Sequence, residues 1–156
     1  MIEIEVPGFT RYRLQHIVLD VNGTLAKDGH LIEGTVPLLN ELRSKLDIHL
    51  VTADTHGKQE AINRTLSIEA VKIPVDNQVK AKLEYINRLD ADTVVAIGNG
   101  FNDTAMLEHA GLGIAVIGPE GAAAESVLKA KIVASDILSA LELLLYPKRL
   151  MATLRR

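Results

Sequence analysis

In Val18-Leu19-Asp20-Val21-Asn22-Gly23-Thr24-Leu25, an apolar run that begins at His16 ends in a lone carboxylate, and a Gly-Thr turn follows. A buried strand that carries one acid to the rim of a sheet and then bends away has this pattern. Thr93 to Ile97 repeats it, running nearly all apolar into Gly98-Asn99-Gly100-Phe101-Asn102-Asp103. Ile48 to Thr52 is a shorter strand that ends in a hydroxyl. Further strands are expected at 69–75, 111–117 and 131–134. Helical spacing fills the intervals. Val36, Leu39, Leu42 and Leu46 mark a helix over 35–46, with Thr35 as N-cap and Pro37 in its first turn. Other helices are expected at 58–66, at 77–89 (Val79, Leu83, Ile86 and Leu89 on one face), from 104 to His109, at 120–129, and as one Leu-rich helix over 136–150. Strands apolar throughout that alternate with helices describe a parallel sheet covered on both faces, an α/β/α sandwich. Residues 2–6 and 10–14 instead alternate apolar with polar around Pro7-Gly8, which predicts an N-terminal antiparallel β-hairpin.

The 156 residues fit a single domain, 1–156, with 47% apolar and 24% charged residues. Aromatic residues make up 3% with no Trp, which argues against a stacking platform for nucleic acid, as does the net charge of −3. Without cysteine there is no disulfide framework, thiol chemistry or Cys-based metal site. The start, Met1-Ile2-Glu3-Ile4-Glu5, lacks the basic region and long apolar stretch of a signal peptide. No apolar run is long enough to span a bilayer. The expectation is a soluble, cytoplasmic protein that binds neither nucleic acid nor membrane.

In a parallel sheet, ligands sit beyond the carboxyl ends of the strands, where Asp20, Thr52 and the loop from Asn99 to Asp103 fall. With a lysine from the 77–89 helix, these groups suit phosphoryl transfer. A carboxylate can attack phosphorus to form an acyl phosphate. A hydroxyl and an ammonium can hold the transferring oxygens, and oxygen ligands can hold Mg²⁺ between nucleophile and phosphate.

The order and spacing resemble the haloacid dehalogenase (HAD) superfamily, and within it the phosphorylation domain of P-type ATPases in a form without membrane segments. Asp20-Val-Asn-Gly-Thr-Leu resembles the D-x-D/T-G-T nucleophile motif, and Val51-Thr52-Ala53-Asp54 the hydrophobic-T-G-D motif. Gly98-Asn-Gly-Phe-Asn-Asp-Thr-Ala-Met-Leu107 resembles G-D-G-x-N-D-x-x-x-L. Lys80, nineteen residues before Asn99, lies at the interval expected for the P-type lysine, with Lys82 its competitor. The resemblance covers residues 16–140. It implies a capless, three-layer Rossmannoid fold and a Mg²⁺-dependent phosphatase or phosphotransferase. Asp20 would be the nucleophile, with Thr52, Ala53, Lys80 and Asn102 around the phosphate. Asp20, the Asn22 backbone carbonyl, Asn99 and Asp103 would support the metal. The substrate would be a phosphorylated small molecule or a phosphoprotein.

Two departures matter. HAD phosphatases place an acid/base Asp two residues after the nucleophile, and Asn22 cannot carry that proton. Such a group contributes about 10²- to 10⁴-fold. P-type ATPases use Thr there and keep a long-lived aspartyl phosphate. Asn99 stands where a metal-binding Asp is usual, which removes one negative charge. Only 31 residues separate Asp20 from Thr52, so there is no room for a nucleotide-binding or cap domain. The open site then takes a macromolecular substrate or is covered by the neighbouring subunit of a homo-oligomer. The competing reading is a non-hydrolytic module that binds phosphate or Mg²⁺ and acts on a partner. Histidines 16, 30, 49, 56 and 109 show no ligand spacing and read as structural or exposed. Gly118-Pro119-Glu120-Gly121 reads as a turn and helix start, with shaping of the site entrance as its alternative role.

Overall fold

The structure, a computed structural model, describes residues 1–53 and 57–156. Asp54, the last residue of the second motif, and His56 lie outside the described residues. The chain opens with the expected hairpin, β1 (Ile2–Val6) against β2 (Thr10–Leu14), and their alternation buries Ile2, Ile4, Val6, Tyr12 and Leu14. β3 (His16–Asp20) follows. Next come a small antiparallel pair, β4 (Ala26–Lys27) and β5 (His30–Leu31), then α1 (Thr35–Leu42) and β6 (Asp47–Thr52). α2 (Gln59–Leu66), β7 (Val71–Lys72) and α3 (Gln78–Arg88) lead to β8 (Val94–Gly98). A 3₁₀ turn over Phe101–Asp103 precedes α4 (Thr104–His109) and β9 (Leu112–Val116). α5 (Ala124–Lys129), β10 (Ile132–Ala134), α6 (Ile137–Leu145) and α7 (Pro147–Leu154) complete the chain.

The six-stranded sheet has the order β10-β9-β8-β3-β6-β7 and is parallel at every pairing. The central strands are apolar on both faces because helices cover both. Ile17 and Leu19 of β3 pack into one core with Leu39, Leu42, Leu141 and Leu144 of α1 and α6. Val18 faces the other core, with Ile86 of α3 and Met106 and Leu107 of α4. Each fully buried Leu or Ile removes from water enough surface to contribute about 1.5–3 kcal/mol. The chain runs from β3 to β6 on one side and later returns to β8 on the other, so the switch point lies at β3.

Several expected elements differ in extent. The 136–150 helix is two helices, because Pro147 has no N–H to donate and holds Tyr146 at φ −118°, ψ 72°, outside the helical region. The 69–75 strand pairs only at Val71 and Lys72, at the sheet edge, with Pro74 just beyond. α1 ends at Leu42, and a tightened turn carries the chain to Leu46 through Lys45 and Leu46 N–H bonds to Leu42 O. Thr35 does not cap it: Gly34 precedes the helix at φ +93°, and Thr35 Oγ1 donates to Ile32 O. The 120–129 helix begins only at Ala124, after a loop bridged between Gly118 and Gly121.

Candidate active site

Strand parity sets the direction of the first acid. Asp20 shares its face with Val18, so it points toward the α3 and α4 side of the sheet, and it is only 6% exposed. Ile86 of α3 packs on that same side, and Lys82 lies one turn before it, which brings the Lys82 side chain to the end of β3. Its Nζ donates to Asp20 Oδ1 and to Asp103 Oδ1, each at 2.6 Å, and the lysine is 1% exposed. Lys80 points outward and pairs with Glu84 across one helical turn at 3.7 Å. The lysine of the cluster is therefore Lys82, not Lys80. The interval from the Asn99–Asp103 loop favours Lys80, but helix phase turns Lys82 toward Asp20.

β8 supplies the second acid by the same parity. Gly98 lies on the face of Val94 and Ala96, and the space beside its Cα is filled by Asp103, whose Cγ would lie 2.4 Å from a β-carbon there. Asp103 is fully buried. Its Oδ2 accepts the Asn99 and Gly100 N–H groups, each at 3.0 Å, while Oδ1 takes Lys82. Both of its oxygens are thus engaged, and it anchors the loop and Lys82 from behind the cavity instead of lining it. Burial and the Asp103 charge push the Asp20 carboxyl up to about 7, against the pull of Lys82 and Thr24. Burial works to lower the Lys82 ammonium, but the two carboxylates outweigh it and hold it above its ordinary value.

Thr24 closes the other side. Its hydroxyl lies 3.1 Å from Asp20 Oδ2 and 3.2 Å from Asn99 Oδ1. One hydroxyl hydrogen cannot satisfy two acceptors at once, so this corner holds more oxygen lone pairs than donors. Asn99 is oriented by its other end, where Nδ2 donates to Gly121 O at 3.1 Å. The Asn22 carbonyl is left out of the turn, whose N–H groups at Thr24, Leu25 and Ala26 all converge on Val21 O. A hard divalent cation fits this oxygen-only corner. Among the described residues no three His, Cys, Asp or Glu side chains converge as a metal cluster.

The cavity above Asp20 has a volume of about 270 Å³ and is lined by Asn22, Thr52, Ala53, Gln78, Asn99, Gly100, Asn102 and Glu120. The expected Asp20, Asn22, Thr52, Ala53, Asn99 and Asn102 therefore meet around one space. Asn102 Nδ2 also donates to Gln78 Oε1 at 2.6 Å and ties the loop to the start of α3. Thr24, Gln78 and Glu120 were not singled out from sequence as site residues. Thr24 stands within the Asp20-to-Leu25 motif itself, Glu120 reads from sequence only as part of the 118–121 turn whose alternative role is to shape the site entrance, and Gln78 carries no local signal. A larger cavity of about 540 Å³, lined by Tyr12 and Lys131 among others, lies at the amino ends of β9 and β10, away from these groups. His16, His49 and Tyr85 form a hydrogen-bonded chain, also remote, with contacts of 3.1 Å and 2.8 Å.

Comparison with known proteins agrees with the fold. The family of haloacid dehalogenase-like hydrolases matches residues 68–134. An uncharacterized protein of Methanocaldococcus jannaschii is 47% identical over 79 residues, 48% of this chain and 85% of that one. A probable copper-exporting P-type ATPase of Archaeoglobus fulgidus is 36% identical over 108 residues, 68% of this chain but 13% of the transporter. The crystal structure of 3-deoxy-D-manno-octulosonate 8-phosphate phosphatase from Moraxella catarrhalis, in complex with magnesium ion, phosphate ion and KDO, superposes with a TM-score of 0.67. It does so at 18% identity over 92% of this chain and 95% of that one, a likeness of fold. No helix among the described residues is long and apolar enough to cross a membrane.

Proposed function

The chain belongs to the haloacid dehalogenase-like family, and from that premise we propose that it is a slow, Mg²⁺-dependent phosphatase or phosphotransferase working through an aspartyl phosphate on Asp20. The observation that carries this reading is the buried Asp20–Lys82–Asp103 cluster at the end of the central strand. An Asp20 oxygen attacks phosphorus and the ester or acyl oxygen departs. Water then attacks the acyl phosphate, releasing inorganic phosphate and restoring the carboxylate. Lys82 favours the ionised form of Asp20 and offsets charge gathering on the transferring oxygens, while Thr52 and Ala53 line the phosphoryl space. Asp20, the Asn22 carbonyl and Asn99 would hold Mg²⁺, which when bound draws nucleophile and phosphate together and offsets their repulsion.

Asn22 faces the cavity without a proton to give. A leaving group that needs protonation must take its proton from solvent. Acyl and aryl phosphates therefore turn over faster than alkyl phosphates, and the phosphoenzyme outlives that of a site carrying the acid, by about 10²- to 10⁴-fold. The test is incubation with acetyl phosphate and Mg²⁺ followed by mass detection of phosphate on Asp20, wild type beside Asp20→Asn. Asn22→Asp should raise turnover. The amides at Asn22 and Asn99 favour one second reading, a module that binds phosphate without hydrolysing it. No label on Asp20, no turnover and no beryllofluoride complex with Mg²⁺ would select that reading, and a stable beryllofluoride complex at Asp20 would count against it.

A further inference from the structure

The loop between β9 and α5 is fixed to both halves of the site by backbone contacts. Gly118 packs against the nucleophile turn so closely that a β-carbon there would lie 2.6 Å from Gly23 O. Gly121 N–H donates to Gly118 O at 2.9 Å, Gly121 O accepts Asn99 Nδ2, and Ala123 N–H donates to Asn99 O at 2.8 Å. The loop is thus held between the Gly23 turn and the Asn99 loop, and the residue at its tip is Glu120. A β-carbon added at Gly23, whose φ is +83°, would lie 2.5 Å from Glu120 Oε2 and 2.9 Å and 3.0 Å from the Asn99 amide atoms. The Glu120 carboxylate and the Asn99 side chain therefore flank one point above the nucleophile turn. Among the described residues lining the cavity, Asp20 and Glu120 are the only carboxylates. Asp20 is already paired with Lys82, whereas Glu120 makes no hydrogen bond or ion pair among the described residues.

We propose that Glu120 is a metal-binding residue, supplying from the β9–α5 loop the negative charge that Asn99 does not. The inference rests on reading the site as a metal-assisted phosphoryl-transfer centre. The charge balance of the corner supports it. Lys82 is shared between Asp20 and Asp103, and Asp103 is spent on it and on two N–H groups. Without Glu120 the one charged acceptor facing the cation is therefore Asp20, itself paired with Lys82, and the others are neutral amide and carbonyl oxygens. Cation affinity at oxygen sites follows ligand charge count, and Glu120 restores one unit at the side where it is short. The two glycines that let the loops meet, Gly23 and Gly118, are what allow a carboxylate to reach this corner from outside the nucleophile and metal-loop motifs.

The probe is Mn²⁺ in the absence of substrate, with free ion counted by electron paramagnetic resonance, so that the readout is binding and not turnover. Glu120→Gln should weaken Mn²⁺ binding by about ten- to a hundred-fold. Glu125→Gln, the same charge change at an exposed position in the first turn of α5, should leave it unaltered. Asn99→Asp should tighten binding, and in that background the loss from Glu120→Gln should shrink. Wild-type affinity in Glu120→Gln, or an equal loss in Glu125→Gln, would overturn the assignment while leaving the metal centre standing. Absence of any Mn²⁺ binding by the wild type would overturn the centre and this assignment together.

Discussion

Lys80 and Lys82 lie two residues apart on α3, and their surroundings predict opposite responses to one substitution. Lys82→Met removes the cation between two buried carboxylates and should cost roughly 3–5 kcal/mol at pH 8, read by urea unfolding. Lys80→Met breaks an exposed pair and should stay within about 0.5 kcal/mol. Equal losses would contradict the placement. Periodicity could not separate the two, because a reading that counts lysine as polar puts both outside. Lys82 nevertheless shares its face with Ile86 four residues on, and that spacing was present in the chain. Asp20, Thr52 and Asn99 were legible because each ends an apolar run. Asp20 adds a pH signature to the metal-free protein. Its folded carboxyl is pushed from 3.8 up to about 7, so between those values the native state holds a proton that the unfolded chain has released. Stability from this group is full below about pH 4 and lost as pH rises through 7. His49, held below its ordinary value by burial and His16, works the other way and is common to both proteins compared. In EDTA, wild type minus Asp20→Asn should therefore show unfolding free energy falling across pH 4–7, by urea titration at each pH. A flat difference would refute it.

β8 shows how an element carries chemistry by leaving a side chain out. Gly98 ends a strand otherwise apolar on both faces, and the Asp103 carboxyl occupies the place of its side chain. Gly98→Ala would set a methyl against Asp103 Cγ and Oδ2, pushing them away from the Asn99 and Gly100 N–H groups and from Lys82. The expected cost is about 1–3 kcal/mol in urea unfolding, with a larger proportional loss of acetyl-phosphate labelling at Asp20. Labelling at the wild-type level would mean that Asp103 does not position the nucleophile. The strands themselves were readable, since burial on two faces writes apolar runs with no alternation. The connections were less so. Pro147 stood in plain view within 136–150, but Leu periodicity outweighed it, and the 118–123 loop owes its course to contacts with Gly23 and Asn99 that lie far away in sequence.

At the scale of the whole molecule, the cavity sits at the carboxyl rim of the sheet, while the hairpin and the end of the chain are joined elsewhere. Arg156 N–H donates to Pro7 O at 3.3 Å, and its guanidinium lies 4.3 Å from the Phe9 ring centroid. Between the two lie the apolar cores on either face of the sheet, continuous from β3 outward. A ligand that binds only the folded site must then stabilise the entire cooperative unit and not a loop alone. Beryllofluoride with Mg²⁺ imitates the phosphorylated carboxylate and needs an ionised Asp20. At a hundred times its dissociation constant it should add about 2.7 kcal/mol. For a chain of 156 residues, at ~2–4 °C per kcal/mol, that is a rise of roughly 5–11 °C in the unfolding midpoint. Asp20→Asn should show no rise, and Mg²⁺ or beryllofluoride alone should give less than the pair. A full shift in Asp20→Asn would place the ligand somewhere other than the end of β3 and would remove the support for phosphoryl capture there.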